Sequence, residues 1–316
     1  MAETIKKATR VGYAEGLLEL GERLDNLVVL DADLAGATYT GKFKEKFPNK
    51  FYDCGIAEQN MIGVASGLSL TGNIVFASSF AMFASGRAFE QIRNSVGYPH
   101  LNVKVAASHA GISVGEDGAS HQCNEDIALM RTIPGMTIIN PADAVEAKHA
   151  VIAAAKYEGP VYMRFGRLAV PVIFDDEDYE FQWGKGVTLK EGKDVTIIAT
   201  GLMVNEALIA HDILKNKGVS ARVINMHTIK PLDEELVIKA AKETGCIVTA
   251  EEHNIIGGLG GAVAETLSEN IPTPLVRVGV NDVFGMSGPA EELLHIYGLD
   301  ADHIVEAALE AIDKKA

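Results

Sequence analysis

Short apolar and β-branched runs alternate with longer stretches of helical period through the first half of the chain. Runs at 26–30 (NLVVL), 74–77 (IVFA), 102–107 (NVKVAA), 136–139 (MTII) and 161–163 (VYM) read as strands. Apolar positions recur at helical spacing over 57–70, 85–96 and 142–157, which predicts helices between those strands. Asn140, followed by Pro141, is the expected cap of the last of these, because proline suits a first helical turn. Residues 171–193 break the pattern with an acidic cluster at 175–178 and the only tryptophan, Trp183. A second series follows, with strands at 195–199, 222–225, 247–250 and 275–278 and helices over 202–217, 233–244 and 261–270. An amphipathic helix over 302–314 ends it. Strands separated by helices imply right-handed crossovers and parallel pairing. The expectation is an α/β chain of two consecutive domains, each a mostly parallel sheet flanked by helices. They span 1–170 and 194–316, joined by a linker over 171–193.

Composition narrows the function classes. Of 316 residues, 47% are hydrophobic and 22% charged, enough apolar material for sizeable cores. The apolar runs are short and interrupted, so no bilayer span is expected. Met1 to Lys7 carries charge without an apolar stretch, so no secretory signal is expected either. Lys and Arg total 28 against 43 Asp and Glu, a net charge of −15 that disfavours a nucleic-acid partner. Cys54, Cys123 and Cys246 are odd in number, far apart and form no C-x-x-C pair, so reduced thiols in a cytoplasmic protein are expected.

Four segments carry candidate chemistry. In Tyr52-Asp-Cys-Gly-Ile-Ala-Glu58, the carboxylate falls where a helix begins among small and apolar neighbours. Two readings fit: a first-turn charge that complements the helix dipole, or a desolvated carboxylate able to share a proton with a heterocycle nitrogen. Phe80 and Phe83, three apart, are either core packing or a wall for a planar ring. Residues 108–122 (SHAGISVGEDGASHQ) place His109, Asp117 and His121 in a glycine-containing loop after a strand, where parallel sheets gather ligands. Their spacing is poor for a metal cage and better suited to hydroxyl recognition and proton transfer. Arg164 and Arg167, at the end of a strand, suit an anionic group such as a sugar phosphate. Gly257-Gly-Leu-Gly-Gly261 lacks the spacing of a phosphate loop and reads as a turn before a helix.

Taken in order, these segments resemble the C-terminal half of transketolase, over nearly the whole chain. G-E-D-G-x-x-H-Q at Gly115–Gln122 is the most specific motif. The resemblance implies a thiamine-diphosphate-binding fold of pyrimidine type, followed by a transketolase C-terminal domain. It also implies transfer of a two-carbon ketol unit between sugar phosphates, in pentose phosphate metabolism. The family's pyrimidine-contacting glutamate falls on Glu58 and its ring-stacking aromatics on Phe80 and Phe83. Its substrate-contacting residues fall on His109, Asp117 and His121, with His109 and His121 also moving protons. The phosphate-binding arginine corresponds to Arg167 in preference to Arg164. Apolar neighbours, Ile56, Ala57 and the two phenylalanines, are expected to raise the pKa of Glu58.

The family holds thiamine diphosphate and Mg²⁺ (or Ca²⁺) with a G-D-G motif and a later Asn on an N-terminal domain. Here the nearest match, Glu116-Asp-Gly118, belongs to the substrate loop. The implied partner is therefore an N-terminal subunit carrying the diphosphate-binding domain, in an α2β2 heterotetramer. One departure is Ala37, where the family often has a serine that binds phosphate. Rival readings are a deoxyxylulose-phosphate synthase fragment, a 2-oxoacid dehydrogenase β subunit and a non-catalytic partner. His109 argues against the first and the G-E-D-G loop against the second. No catalytic constellation is visible in the second domain.

Overall fold

A computed structural model describes residues 5–315. The central strands of the first half, Leu27–Asp31, Ile74–Phe80, Val103–Ser108 and Val161–Arg164, are buried along almost their whole length. Burial on both faces is why they read as continuous apolar runs rather than alternating ones. They lie in a seven-stranded sheet ordered Thr228–Lys230, Thr137–Ile139, Val161–Arg164, Val103–Ser108, Ile74–Phe80, Leu27–Asp31, Phe51–Asp53. All pairs are parallel except the first. The second sheet has five strands: Leu275–Val280, Ile247–Asn254, Val195–Ala199, Ala221–Asn225 and Val187–Lys190. Only the last pair is antiparallel. The chain has the expected α/β architecture of mostly parallel sheets flanked by helices. Among the described residues no helix is long and apolar enough to cross a membrane.

Three local features differ from the sequence reading. The helix Ala144–Lys156 is capped by Asp143, not Asn140: the Asp143 carboxylate accepts the Glu146 N–H at 2.8 Å. The Glu146 side chain reaches back to the Ala142 N–H at 2.7 Å. Two carboxylates serving two free donors outcompete a cap placed before proline, and the Asn140 N–H instead donates to the His227 carbonyl. The helix expected over 85–96 is broken into π-helical stretches, Met82–Arg87 and Ile92–Gly97, around a turn at Phe89–Gln91. Finally, Thr228–Lys230 leaves the second half of the chain to edge the first sheet, a long-range pairing with no local signal. Within 171–193, Trp183 stacks on Tyr157 at 4.4 Å, and the Ile173 and Phe174 N–H groups donate to Asp143.

The helices Thr9–Arg23 and Ala144–Lys156 cover one face of the first sheet and touch at Gly12. A Cβ there would lie 1.9 Å from the Ala144 carbonyl oxygen, so backbone meets backbone and no side chain fits. Gly12→Ala is therefore expected to destabilise the chain by about 1–3 kcal/mol, because an overpacked contact must spread. Gly63→Ala, in an exposed helical position with open space around it, is expected to be neutral or stabilising. Urea midpoints of the two variants check this; equal midpoints would refute the close-contact argument.

Candidate active site

The carboxyl ends of Ile74–Phe80, Val103–Ser108 and Val161–Arg164 deliver the candidate residues to one edge of the first sheet. Glu58 opens the helix Glu58–Leu70 and is 1% exposed. Its environment is not the apolar one expected. Ile56 points away and is 77% exposed, and Arg87 reaches both carboxylate oxygens through Nη1, at 3.0 and 3.1 Å. The same guanidinium lies 4.8 Å over the Phe83 ring. The π-helical winding of Met82–Arg87, where the Ala88 N–H donates back to the Phe83 carbonyl, brings Phe83 and Arg87 together. Such bulges re-aim side chains out of helical register.

Phe80 ends its strand with its ring 5.9 Å from that of Phe83, the planes 19° apart. His109 stacks on Phe80 at 3.8 Å, and His121 meets Phe83 edge-on at 5.3 Å. The structure thus gathers Phe80, Phe83, His109 and His121 into one cluster, tied to Glu58 through Arg87. Asp117 stands apart on the exposed rim of the turn Ile112–Asp117, between Gly115 and Gly118, both at positive φ.

Arg10 was not singled out by sequence reasoning. Its Nη1 donates to His109 Nε2 at 3.0 Å and to the Ala37 carbonyl at 2.8 Å. An arginine has only donors to offer, so Nε2 must accept and the ring proton sits on Nδ1, which donates to Ser108 Oγ at 2.9 Å. Burial, then the Arg10 and Arg167 guanidinium groups, pushes the His109 pKa down from the ordinary 6.5 to about 3. His109 is a neutral imidazole at physiological pH. The segment bearing Ala37 is held by Asp31, which accepts from the Thr38 and Thr40 hydroxyls and the Leu34 N–H. Burial raises the Asp31 pKa to about 6.

The two arginines of Arg164-Phe-Gly-Arg167 separate. Arg164 is buried, its Nε 2.9 Å from Asp126 and its Nη2 2.8 Å from the Glu252 carbonyl, which leaves it unable to meet a substrate. Arg167 is part-exposed and pairs with Glu116 at 2.8 Å while also donating to the Val114 carbonyl. The loop 109–125 rests in part on the second domain. Gln122 Nε2 donates to the Met286 carbonyl at 2.9 Å, and the Ser113 N–H to Glu252 at 2.6 Å. A groove of about 730 Å³ opens beside Phe83 and Arg87, with Asp282 and Phe284 as its far wall. Gln122 Oε1 and Asn124 Oδ1 are buried, unpartnered acceptors at its edge.

A buried carboxylate, a near-parallel aromatic pair and unpartnered acceptors suit a flat, nitrogen-bearing heterocycle with donors to give. Residues 5–172 match the family model "Transketolase, pyrimidine binding domain", and residues 184–304 match "Transketolase, C-terminal domain". The chain belongs to the transketolase family. It is 55% identical to a "Putative transketolase C-terminal section" of Methanocaldococcus jannaschii, over 98% of each chain. It is 46% identical to a "6-deoxy-6-sulfo-D-fructose transketolase subunit SqwH" of Clostridium sp., over 96% of this chain and 94% of that one. A solved structure described as "Split gene transketolase, inactive beta4 tetramer" superposes with a TM-score of 0.92 at 54% identity, covering 98% and 99% of the two chains. The chain thus carries the pyrimidine-binding and C-terminal domains of that family.

The neutral state of His109 gives a pH test of this candidate site. A depressed folded pKa contributes stability that is full above 6.5 and is lost as the pH falls towards about 3. Side-chain ¹⁵N NMR should find the His109 ring unchanged through pH 6.5, with the proton on Nδ1. His109→Asn should weaken the acid destabilisation of the chain over the same window. A ring titrating at the ordinary value would overturn the assignment.

Proposed function

We propose that this chain is the C-terminal subunit of a two-chain transketolase. The holoenzyme moves a two-carbon ketol unit from a ketose phosphate to an aldose phosphate. The N-terminal partner holds the diphosphate of thiamine diphosphate and its Mg²⁺ (or Ca²⁺), and the pair assembles as α2β2. The observation that carries the reading is the buried Glu58 beside the aromatic and histidine cluster, on a chain whose described site residues serve only one end of such a cofactor. Full-length relatives of the same size named as a section or subunit support the partner. So does a closely similar chain described as an inactive tetramer of β subunits alone.

When bound, thiamine diphosphate supplies the nucleophilic carbon and the electron sink for the two-carbon fragment. In this chain Glu58 would hold the pyrimidine's ring nitrogen, exchanging Arg87 for it, and would manage the proton there. Phe80 and Phe83 would hold the ring plane. His109, neutral and with its Nε2 already engaged by Arg10, acts by orientation and by its polar ring; it holds no acidic proton at neutral pH. His121, less buried, is the better placed of the two to carry a proton between substrate oxygen and solvent. Asp117 would accept a hydrogen bond from a substrate hydroxyl and so select its configuration. Arg167, with Arg10 nearby, would anchor the anionic tail, converting remote binding into orientation. Ala37 offers no hydroxyl to that tail, which shifts the anchoring to the guanidinium pair.

The purified chain is expected to show no ketol transfer, and mixing with a G-D-G-containing partner to restore it; full activity from this chain alone would refute the two-chain reading. In the mixed enzyme, Glu58→Gln should keep the fold and lower kcat by about a hundredfold or more. Arg167→Ala should raise KM for phosphorylated donors by about tenfold or more with a smaller change in kcat, read by steady-state kinetics. An unimpaired Glu58→Gln enzyme would remove the central assignment.

A further inference from the structure

Outside the site edge, one group of metal-capable side chains converges among the described residues: His295, Asp300 and His303. His295 closes the helix Ala290–Ile296, Asp300 caps the helix Ala301–Asp313, and His303 lies one turn into it. The Asp300 carboxylate bridges the two rings, with Oδ2 2.6 Å from His295 Nδ1 and Oδ1 2.6 Å from His303 Nδ1. All the candidate ligand atoms lie within 4.8 Å of one another. Gly298, at φ +71°, makes the intervening turn; a Cβ there would press the His303 ring at 3.2 Å. The turn is thus shaped to let both rings face one carboxylate.

We propose that His295, Asp300 and His303 form a binding site for a divalent transition ion of the Zn²⁺ class. Two imidazole nitrogens and one carboxylate oxygen are a ligand set zinc favours, with a fourth position left for water. Tetrahedral zinc at about 2.0–2.1 Å from each ligand sets neighbouring ligand atoms about 3.3 Å apart. Each imidazole–carboxylate contact, now 2.6 Å, would open by about 0.7 Å, a shift that the exposed His295 ring and the half-exposed His303 ring leave room for. A neutral ring binding through Nδ1 carries its proton on Nε2; a charged ring releases one proton to solvent. Glu206 and Glu291 line the same groove as His295 and Asp300 and favour a cation, with Lys6 the opposing charge.

The site bears on the rest of the molecule. The helix Ala290–Ile296 packs on the turn Ile112–Asp117 that carries Asp117. A Cβ on Gly115 would lie 3.3 Å from the Gly288 carbonyl just ahead of that helix. An ion clamping His295 to the next helix would steady the support of the substrate loop.

The test uses the full chain with Co²⁺ as a spectroscopic probe and Zn²⁺ in calorimetry. One Co²⁺ per chain, with the visible bands of a nitrogen–oxygen site and displaced by Zn²⁺, is expected, together with a rise in Tm on adding Zn²⁺. His295→Gln and His303→Gln should each weaken binding by about tenfold or more. Asp300→Asn keeps a competent helix cap, so the metal-free Tm should hold while Zn²⁺ no longer raises it. Absence of saturable binding, or equal affinity in the wild type and all three variants, would overturn the site and leave a capping network alone. Neither result depends on the partner subunit or on ketol transfer.

Discussion

The buried ion pair between Arg164 and Asp126 is the contact on which the site edge depends. Arg164 ends a central strand, Asp126 begins the helix after the loop 109–125, and the guanidinium also takes the Glu252 carbonyl of the second sheet. Tyr162 donates to Oδ2 of the same carboxylate at 2.9 Å, and Arg164 Nε also reaches Oδ1 at 3.2 Å, so both oxygens of Asp126 are engaged. A charge pair out of water adds little net stability, yet removing one partner leaves the other uncompensated at a penalty of about 3–5 kcal/mol. Its effect is positional. It fixes where the loop 109–125 ends and how that loop meets the second domain.

From that anchor the electrostatics of the edge follow. Arg164 is spent internally, so the accessible positive charge comes from Arg10, Arg87 and Arg167. Arg10 reaches His109, Arg87 reaches Glu58, and Arg167 reaches Glu116. Arg87 and Arg167 are each matched by a carboxylate, while Arg10 faces a neutral ring, in a chain of net charge −15. Burial, and after it Arg10 and Arg167, depress the His109 pKa. The two histidines differ in setting: His109 is buried and neutral, and His121 lies nearer solvent.

Much of this was legible in the sequence. The buried strands announced themselves as apolar runs, and the G-E-D-G-x-x-H-Q segment carried the family resemblance that comparison with known proteins bears out. What escaped had a common cause. Arg10 and His109 are 99 positions apart, Arg87 and Glu58 are 29, and Arg164 and Asp126 are 38. No local period encodes such pairings. The apolar surround expected for Glu58 failed for the same reason, since a neighbour in sequence, Ile56, turned out to solvent and a distant arginine took its place. Asn140 lost its cap to Asp143 because the competition was decided by where Glu146 could reach.

The second domain shows no catalytic constellation of its own, yet the loop geometry explains why it accompanies the first. Gln122 is held by the Met286 carbonyl, Ser113 by Glu252, and a Cβ on Gly118 would lie 2.4 Å from Ser287 Oγ. Gly111 is similarly pressed by Glu252, with a Cβ position 2.3 Å from its carboxylate. The glycines at positive φ let the loop follow the surface of the second domain, where a side chain would force it off. The ends of the loop, at Ala110 and Cys123, pack into the core of the first domain, while its middle, from Ile112 to Gln122, rests on the second. The conformation of the middle of the loop therefore depends on the second domain, and a chain cut between the two would lose it.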